Sequence, residues 1–451
     1  MTGSASFWRW VIFALCVSTF GVFPFNQATE RATEEFSGQT EADWPATNVW
    51  LQAADCARRT GAWLTICEGE ELVPIAHRAL ADDPGHALFL GLKARLLDRP
   101  ISLVDVATLN IWLDFFGMLA LAVLLHVAGS FIASLVFLML GSGVYSAWVG
   151  VSPHPGLIGV ASFASVLPIA IFLSGRGLVS GPVHVILIGL GAGLLGLAAL
   201  FREPIGTMGF LISVGALLFL GWKPMREGNG EWQNRRWLLL LFVVVLLSWQ
   251  APLRLVLLAR DISFPMQPVA LIQTHGISHT LYLGLGTVEN TFGIRWDDEY
   301  AKSAVHRAHP HVDYVSPGYY RILWEFYFDR VREDPIEVGR IYSKKAGYII
   351  TERFPHWAPA LWVALIGLTI LLPLGNRHHL WRTLDYEQAP WILGVVLVFI
   401  GFFILQGVMA HQSRQYSEPI SAFMVLSFAI LLEVYWRYQR RGGNTAKSGD
   451  G

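Results

Sequence analysis

The side chains with the greatest chemical potential lie in one stretch, from His275 to Glu299, which reads HGISHTLYLGLGTVENTFGIRWDDE. His275 and His279 are four residues apart, so a helix would place both imidazoles on one face. Together with Asp297 or Asp298 they could ligate zinc, although the glutamate of the H-E-x-x-H signature is absent. The acidic residues could also bind Mg²⁺ or Mn²⁺ through oxygen or hold substrate hydroxyls. The alternatives are structural histidines and an acidic helix N-terminus.

Three arginines fall at the ends of predicted membrane spans. Arg254 and Arg260 lie at the outer end of one apolar run, and Arg414 lies at the outer end of the last one. Because the planar guanidinium donates two parallel hydrogen bonds, arginine is suited to a phosphate group. The alternative is that these side chains meet lipid headgroups at the membrane surface.

The composition places these residues in a membrane protein. The chain has 451 residues, of which 53% are hydrophobic and 15% charged, and its net charge of −1 gives no basic domain for a nucleic acid. We predict an all-α polytopic protein with about ten spans, each long enough for the ~30 Å hydrocarbon core. They are Trp8–Phe25, Leu109–Ala128, Phe131–Gly150, Leu157–Ser174, Pro182–Phe201, Met208–Trp222, Trp237–Leu258, Ala358–Leu374, Pro390–Ala410 and Pro419–Tyr438.

The distribution of Lys and Arg orients these spans. Most of the basic residues flank the spans on one side, which by the positive-inside rule is the cytoplasm. Both termini are then cytoplasmic, and the two long loops lie outside the cytoplasm. The Pro- and Gly-containing links and the lack of long luminal domains favour a bacterial inner membrane, in which these loops are periplasmic. The predicted parts are a transmembrane module 1–258 that includes the first loop 26–108, a second loop 259–357 that acts as a substrate lid, closing helices 358–438, and a disordered tail 439–451.

Other patterns carry less functional information. Cys56 and Cys67 share the first loop, where an oxidising compartment would permit a disulfide, but their distance is not fixed by the sequence. A G-x-G-x-x-G pattern over 189–196 lies inside a span, so close helix packing explains it better than a dinucleotide site. The charges gather at outer helix ends and not at mid-depth, which favours surface chemistry over translocation.

The layout, with one helix, a long loop, six helices, a second long loop and a closing group, resembles the GT-C glycosyltransferases. Three stretches are similar to segments of that family: Asp83-Pro-Gly-His86 before ALFLGLKARLL, DPIEVGRIYSKK from Asp334, and RQYSEP from Arg414. The first predicts a helix in the membrane interface, with its basic side chains at headgroup level. The third looks like the family's R-Y-x-x-P with one residue inserted, and it brings Tyr416 into the candidate site.

The resemblance implies a fold with interfacial helices in both loops and transfer of a sugar from a polyprenyl-phosphate donor. Its acceptor would be a glycan, lipid or protein. The family's catalytic acid precedes a helix that ends in G-x-W, here Gly61-Ala-Trp63, and this points to Asp43 first and Glu41 second. The chain has no D-E followed by tyrosine, which is a departure from the family pattern. The alternatives are an O-antigen-type polymerase or ligase and a non-enzymatic transporter or scaffold of envelope polysaccharide assembly.

Overall fold

The protein is an almost wholly helical chain that is built to cross a membrane. The computed structural model describes residues 3–39, 45–75, 84–148, 157–175, 182–227, 232–264, 276–351, 389–412 and 414–446. Within these ranges, eight helices are long and apolar enough to span a bilayer. The all-α polytopic class is therefore confirmed.

The first helical rod is longer than the sequence suggests. It comprises α1 (Gly3–Cys16), a π-helical segment (Val17–Val22) and α2 (Phe23–Phe36). The predicted span ends at Phe25, but the helix continues because Ala28, Ala32 and Phe36 form a buried stripe at four-residue spacing. This stripe packs against α5 (Leu103–Val127).

The bundle continues with helices that alternate in direction, and one of them lies at its centre. They are α6 (Phe131–Trp148), α7 (Leu157–Gly175), α8 (Pro182–Phe201), α9 (Glu203–Glu227), α10 (Trp232–Ser263), α15 (Ala389–Met409) and α16 (Arg414–Ala446). The central helix is α7, which packs against α5, α8, α9, α15 and α16. α16 runs to Ala446, into the part predicted as a disordered tail.

Most of the predicted spans coincide with these helices. The Phe131–Gly150 prediction matches a shorter apolar helix, Phe131–Ser142, and the Ala358–Leu374 prediction lies outside the described residues. The total of ten spans and the sides on which the loops lie remain predictions.

The glycine pattern at 189–196 lies inside α8, as expected for helix packing. A Cβ atom on Gly191 would lie 2.9 Å from the backbone of Leu167 in α7, and one on Gly196 would lie 2.7 Å from the Ser248 carbonyl oxygen in α10. Gly189 and Gly193 face open space. Two of the four glycines therefore permit close helix contacts.

The first connecting segment forms a small subdomain. It contains α3 (Pro45–Thr60), the hairpin β1 (Thr65–Glu68) and β2 (Glu71–Pro74), and α4 (Pro84–Leu97). The strands are antiparallel, with Thr65 opposite Pro74, and Cys56 and Cys67 form a disulfide. The sequence left this pairing open and gave no prediction of the hairpin.

In its described residues, the second connecting segment has four helices and its own apolar core. They are α11 (Ile277–Gly284), α12 (Asp298–Ala308), α13 (Pro317–Glu333) and α14 (Pro335–Thr351). Tyr282, Leu323 and Ile341 belong to this core, which is separate from that of the bundle. The predicted break at Asp334-Pro335 separates α13 from α14.

Both segments attach to the same end of the bundle, which we call the loop end. It is the end at which α5 and α16 begin and α10 and α15 finish. In the first segment, the Leu64 carbonyl accepts a hydrogen bond of 3.2 Å from Arg260 at the end of α10. In the second, Lys345 donates a 2.8 Å hydrogen bond to the Ala410 carbonyl, just beyond α15.

Candidate functional site

The loop end contains a buried carboxylate at a tight helix crossing. A Cβ atom on Gly159 would lie 2.0 Å from the Leu113 carbonyl oxygen, and one on Gly117 would lie 2.4 Å from the Gly159 Cα, so α5 and α7 meet backbone to backbone. This contact brings the first turn of α7 to Asp114. Oδ1 of Asp114 accepts a 2.7 Å hydrogen bond from the Gly159 amide, and the residue is only 8% exposed. The carboxylate therefore binds one of the free N–H groups at a helix start.

A second carboxylate lies beside the first. Glu418, in the first turns of α16, is close enough to Asp114 for the two charges to interact. Among the described groups that act on these two carboxyls, none is a Lys or Arg side chain. The pair is thus two like charges within a packed bundle.

The other buried acids of the described residues all have cationic partners. Asp105 binds Lys93 at 2.8 Å and Arg99 at 2.7 Å. In the second segment Glu337 pairs with Arg340, and at the other end of the bundle Glu433 pairs with Arg437. Asp114 is the exception, which makes the Asp114–Glu418 pair the main candidate for a functional group in the described bundle.

Sequence analysis missed this pair. Its signal was an aspartate within an apolar run of 25 residues, Leu103–Val127. The expectation that charges gather only at outer helix ends placed no weight on Asp114. The structure corrects this, because Asp114 lies well inside α5 and is buried.

An apolar groove lies on another face of α5 at the same depth. It is a narrow cleft between the first rod, α5 and α6. Phe115, which follows Asp114 in the chain, and Met118, one turn further along α5, line it. Gly21 of the π-helical segment lines it from the rod. A groove of this composition fits a hydrocarbon chain better than a polar ligand.

In the second segment, two of the predicted site residues meet. Nδ1 of His279 lies 2.9 Å from the Tyr319 hydroxyl, and its Nε2 lies 3.1 Å from Oδ1 of Asp298. His279 is 3% exposed, and burial together with nearby Tyr314 and Asp298 raises the pKa of Tyr319. The imidazole is held between a buried hydroxyl and a half-exposed carboxylate, so it can orient these groups or relay a proton between them.

The neighbouring acidic residues begin a helix, as one of the alternatives predicted. Asp297 is the N-cap of α12, and its side chain accepts a 3.0 Å hydrogen bond from the Glu299 amide. Within the described residues, no group of three or more His, Cys, Asp or Glu could hold a metal ion. α11 begins at Ile277, and His275 lies outside the described residues.

The predicted phosphate-binding arginines differ from one another in their surroundings. Arg260 is 2% exposed, and its guanidinium is engaged by the Leu64 carbonyl and by Asp261 at 2.8 Å. Arg254 is exposed on α10. Arg414 begins α16, and its side chain and that of Tyr416 lie outside the described residues.

The predicted catalytic acids cannot be placed. Glu41 and Asp43 lie in 40–44, outside the described residues, between the end of α2 and the start of α3. The G-x-W stretch that pointed to them is described, and Gly61 has a φ of +80°, a left-handed conformation that suits glycine after a helix. Arg95 of α4 lies over the Trp63 ring at 5.8 Å.

A buried lysine joins the second segment to the bundle. Nζ of Lys345 donates hydrogen bonds of 2.8 Å to the carbonyls of Gly284 and Ala410, at the ends of α11 and α15. A Cβ atom on Gly284 would lie 2.2 Å from the Met409 carbonyl oxygen, so only glycine permits this approach. Burial lowers the pKa of Lys345 to about 7. Sequence analysis placed this lysine in a family-like stretch but did not predict its contact.

Comparisons with known proteins add no relative. No protein-family model, curated protein or solved structure matches the chain. The function therefore has to be argued from the chain's own residues. Among the described contacts, His279 meets Asp298, but none joins them to Arg254 or Arg260.

Proposed function

We propose that the protein is a membrane glycosyltransferase that transfers a sugar from a polyprenyl-phosphate donor to an acceptor at the loop end, on the periplasmic face of a bacterial inner membrane. The observation that supports this most directly is the apolar groove beside Asp114. A lipid-linked substrate needs an apolar surface for its hydrocarbon tail next to polar groups, and α5 carries both within one helical turn.

The reaction assigns a role to each candidate residue. The acceptor hydroxyl oxygen attacks the anomeric carbon while its proton passes to the carboxylate of Asp43, with Glu41 as the second choice. The bond between the anomeric carbon and the phosphate oxygen breaks, and the polyprenyl phosphate leaves with the electron pair. Arg254 and Arg414 would stabilise this phosphate, whereas the Arg260 guanidinium is already engaged within the protein.

The second segment would cover the bound substrate. In this arrangement Tyr416, His275 and the His279–Asp298 pair hold hydroxyl groups of the sugar or acceptor, and a divalent cation such as Mg²⁺ or Mn²⁺ could bind between Asp297 or Asp298 and the phosphate.

The test measures release of free polyprenyl phosphate from purified protein in lipid nanodiscs, with a panel of polyprenyl-phosphate sugars as donors and bacterial membrane lipids and glycans as acceptors. We expect turnover by the wild type. Asp43→Asn should lower it at least about 100-fold, the usual contribution of a general base. Arg254→Ala and Arg414→Ala should lower the rate of transfer. Added EDTA should also lower it if a divalent cation takes part.

Matched controls are Asp98→Asn, another acid of the first segment with a side chain 90% exposed, and Arg332→Ala, an arginine with a side chain 77% exposed. Both should retain wild-type turnover. Absence of turnover with every donor, or full activity in both Asp43→Asn and Arg414→Ala, would refute the proposal.

A further inference from the structure

Two buried hydroxyl groups without hydrogen-bond partners among the described residues lie on α7 and α16, the helices next to the Asp114–Glu418 pair. Ser162 of α7 is 1% exposed and Ser421 of α16 is fully buried, and neither Oγ has a partner in the described residues. Ser421 follows Glu418 by three residues, so both side chains lie on the same face of α16. Buried hydroxyls are normally hydrogen-bonded, and an unpaired one beside two carboxyls points to a group that exchanges hydrogen bonds with them.

The direction of Ser162 follows from the helix geometry of α7. Successive residues of an α-helix are rotated by about 100°. Gly159 faces α5, whereas Leu167 and Ala164 face α8 and α9 through their contacts with Gly191 and Gly209. Ser162 therefore lies on the side of Gly159 away from α8 and α9, where α16 packs against α7.

The helices around the pair supply no compensating cation among their described side chains. α7 and α15 contain no titratable residue at all. On α5, Asp105 and His126 lie toward the two ends, and Arg31 and the three glutamates of α2 do not act on either carboxyl. On α16, Glu433, Tyr435, Arg437 and Arg440 lie toward the other end of the helix. The side chains of Tyr145 of α6 and of Arg414 and Tyr416 of α16 lie outside the described residues.

We propose that Asp114, which is buried, and Glu418, which is partly buried, form a proton-binding site inside the bundle. One proton is shared between the two carboxyls, and the hydroxyls of Ser162 and Ser421 complete its hydrogen bonds. Two carboxylates that are close enough to interact in a water-poor interior cannot both ionise without a free-energy cost. Asp114 keeps its charge, because the Gly159 amide donates to it at the N-terminus of α7. Glu418 carries the proton and can donate it to Asp114 or to a serine.

The site links proton release to the position of α16. Pro419 follows Glu418 directly and has no N–H to donate to the carbonyl of residue 415, so the first turn of α16 is held less tightly than the rest. Loss of the shared proton would leave two repelling charges between α5 and α16. The site therefore adds to the proposed glycosyl transfer a means of coupling protonation to movement at the loop end.

Infrared spectroscopy of the protein in nanodiscs tests this without any substrate. We expect a protonated carboxylic-acid C=O band that persists at neutral pH, far above the ordinary carboxylate range near 4. Glu418→Gln should abolish the band, since Asp114 then ionises alone. Asp114→Asn should lower the pH at which the band is lost, because the neighbouring negative charge is removed. Both amides keep the shape of the native side chains, and size-exclusion chromatography checks folding.

A matched serine pair tests the geometry. Ser421→Ala should shift the band, whereas Ser427→Ala should not, although Ser427 is also buried, unpaired and on α16. The exposed Asp98→Asn variant should leave the band unchanged. A wild-type spectrum without the band, or a band that survives Glu418→Gln, would overturn the proposal. Loss of the band when Na⁺ replaces choline at constant pH would also overturn it, because the site would then bind a metal cation instead of a proton.

Discussion

Two buried carboxylates bind the N-termini of bundle helices at opposite ends of the molecule, and their neighbours differ. Glu433 accepts a 2.8 Å hydrogen bond from the Ala133 amide at the start of α6. Arg437 donates two hydrogen bonds to it, at 3.0 and 2.7 Å, and a third to the Gly129 carbonyl. Asp114 accepts a similar bond from Gly159 at the start of α7, but its charged neighbour is Glu418.

The difference separates a structural acid from a functional one. At the end of the bundle opposite the loop end, which we call the far end, Arg437 and the N-terminus of α6 compensate the charge of Glu433. These contacts join α6 and α16 to the end of α5. At the loop end, packing holds two like charges together, which costs free energy unless a proton or another ligand is present. Groups that destabilise the fold in this way are characteristic of sites that bind something.

The largest effect is expected from removal of the far-end cation. Arg437→Met leaves the Glu433 carboxylate buried without its partner, which should lower the free energy of unfolding by about 3–5 kcal/mol. Denaturant unfolding of the protein in detergent measures this loss. The double variant Arg437→Met/Glu433→Gln should recover most of it, because the uncompensated charge is gone. A single variant as stable as the wild type would show that the far-end pair is not structural.

The sequence predicted the helices well but not the residues that meet between them. Apolar runs report membrane spans directly, since each run must cover the same hydrocarbon thickness. The first predicted span ended too early, at Phe25, because α2 is polar outside its buried stripe of Ala28, Ala32 and Phe36. Asp114 and Glu418 are about 300 residues apart, and they come together because α5 and α16 both pack against α7.

The same limit applies to the second segment. The Asp297 cap was among the local alternatives because a helix start is encoded within a few residues. The contact between His279 and Tyr319 joins α11 to α13 across 40 residues, and no periodic pattern reports it. Catalysis in the first segment remains a prediction, since Asp43 lies outside the described residues.

A smaller effect distinguishes the helix-binding role of Asp114 from its charge. Asp114→Ala leaves the buried Gly159 amide without an acceptor, which should destabilise the protein by about 1–3 kcal/mol. Asp114→Asn keeps a carbonyl oxygen for that amide and should cost less. Thermal unfolding at neutral pH compares the two variants, with Glu418→Gln as the reference that removes a carboxyl but no helix contact. Equal losses in all three would mean that the Gly159 bond does not contribute.

The smallest effect concerns a buried cation at helix C-termini, the counterpart of these acids. Lys345 has its pKa lowered to about 7 in the folded protein, below the ordinary lysine value near 10.4. Above pH 7 the unfolded chain therefore holds more protons than the folded one, so the stability contributed by this group rises with pH. From pH 7 to pH 8 the wild type should gain about 1 kcal/mol relative to Lys345→Met.

The free energy of unfolding, measured at both pH values in the two proteins, isolates the contribution of Lys345. The other titrating groups contribute equally to both proteins and cancel when the two are subtracted. Lys344→Met is the matched control, since the adjacent side chain is exposed and should leave the pH dependence unchanged. The same pH dependence in Lys345→Met as in the wild type would show that this lysine keeps its ordinary pKa. In that case the carbonyls of Gly284 and Ala410 stabilise the ammonium enough to offset its burial. Lys345 would then resemble the compensated far-end pair, and Asp114–Glu418 would be the one buried charge group in the described bundle and segments that depends on a bound ligand.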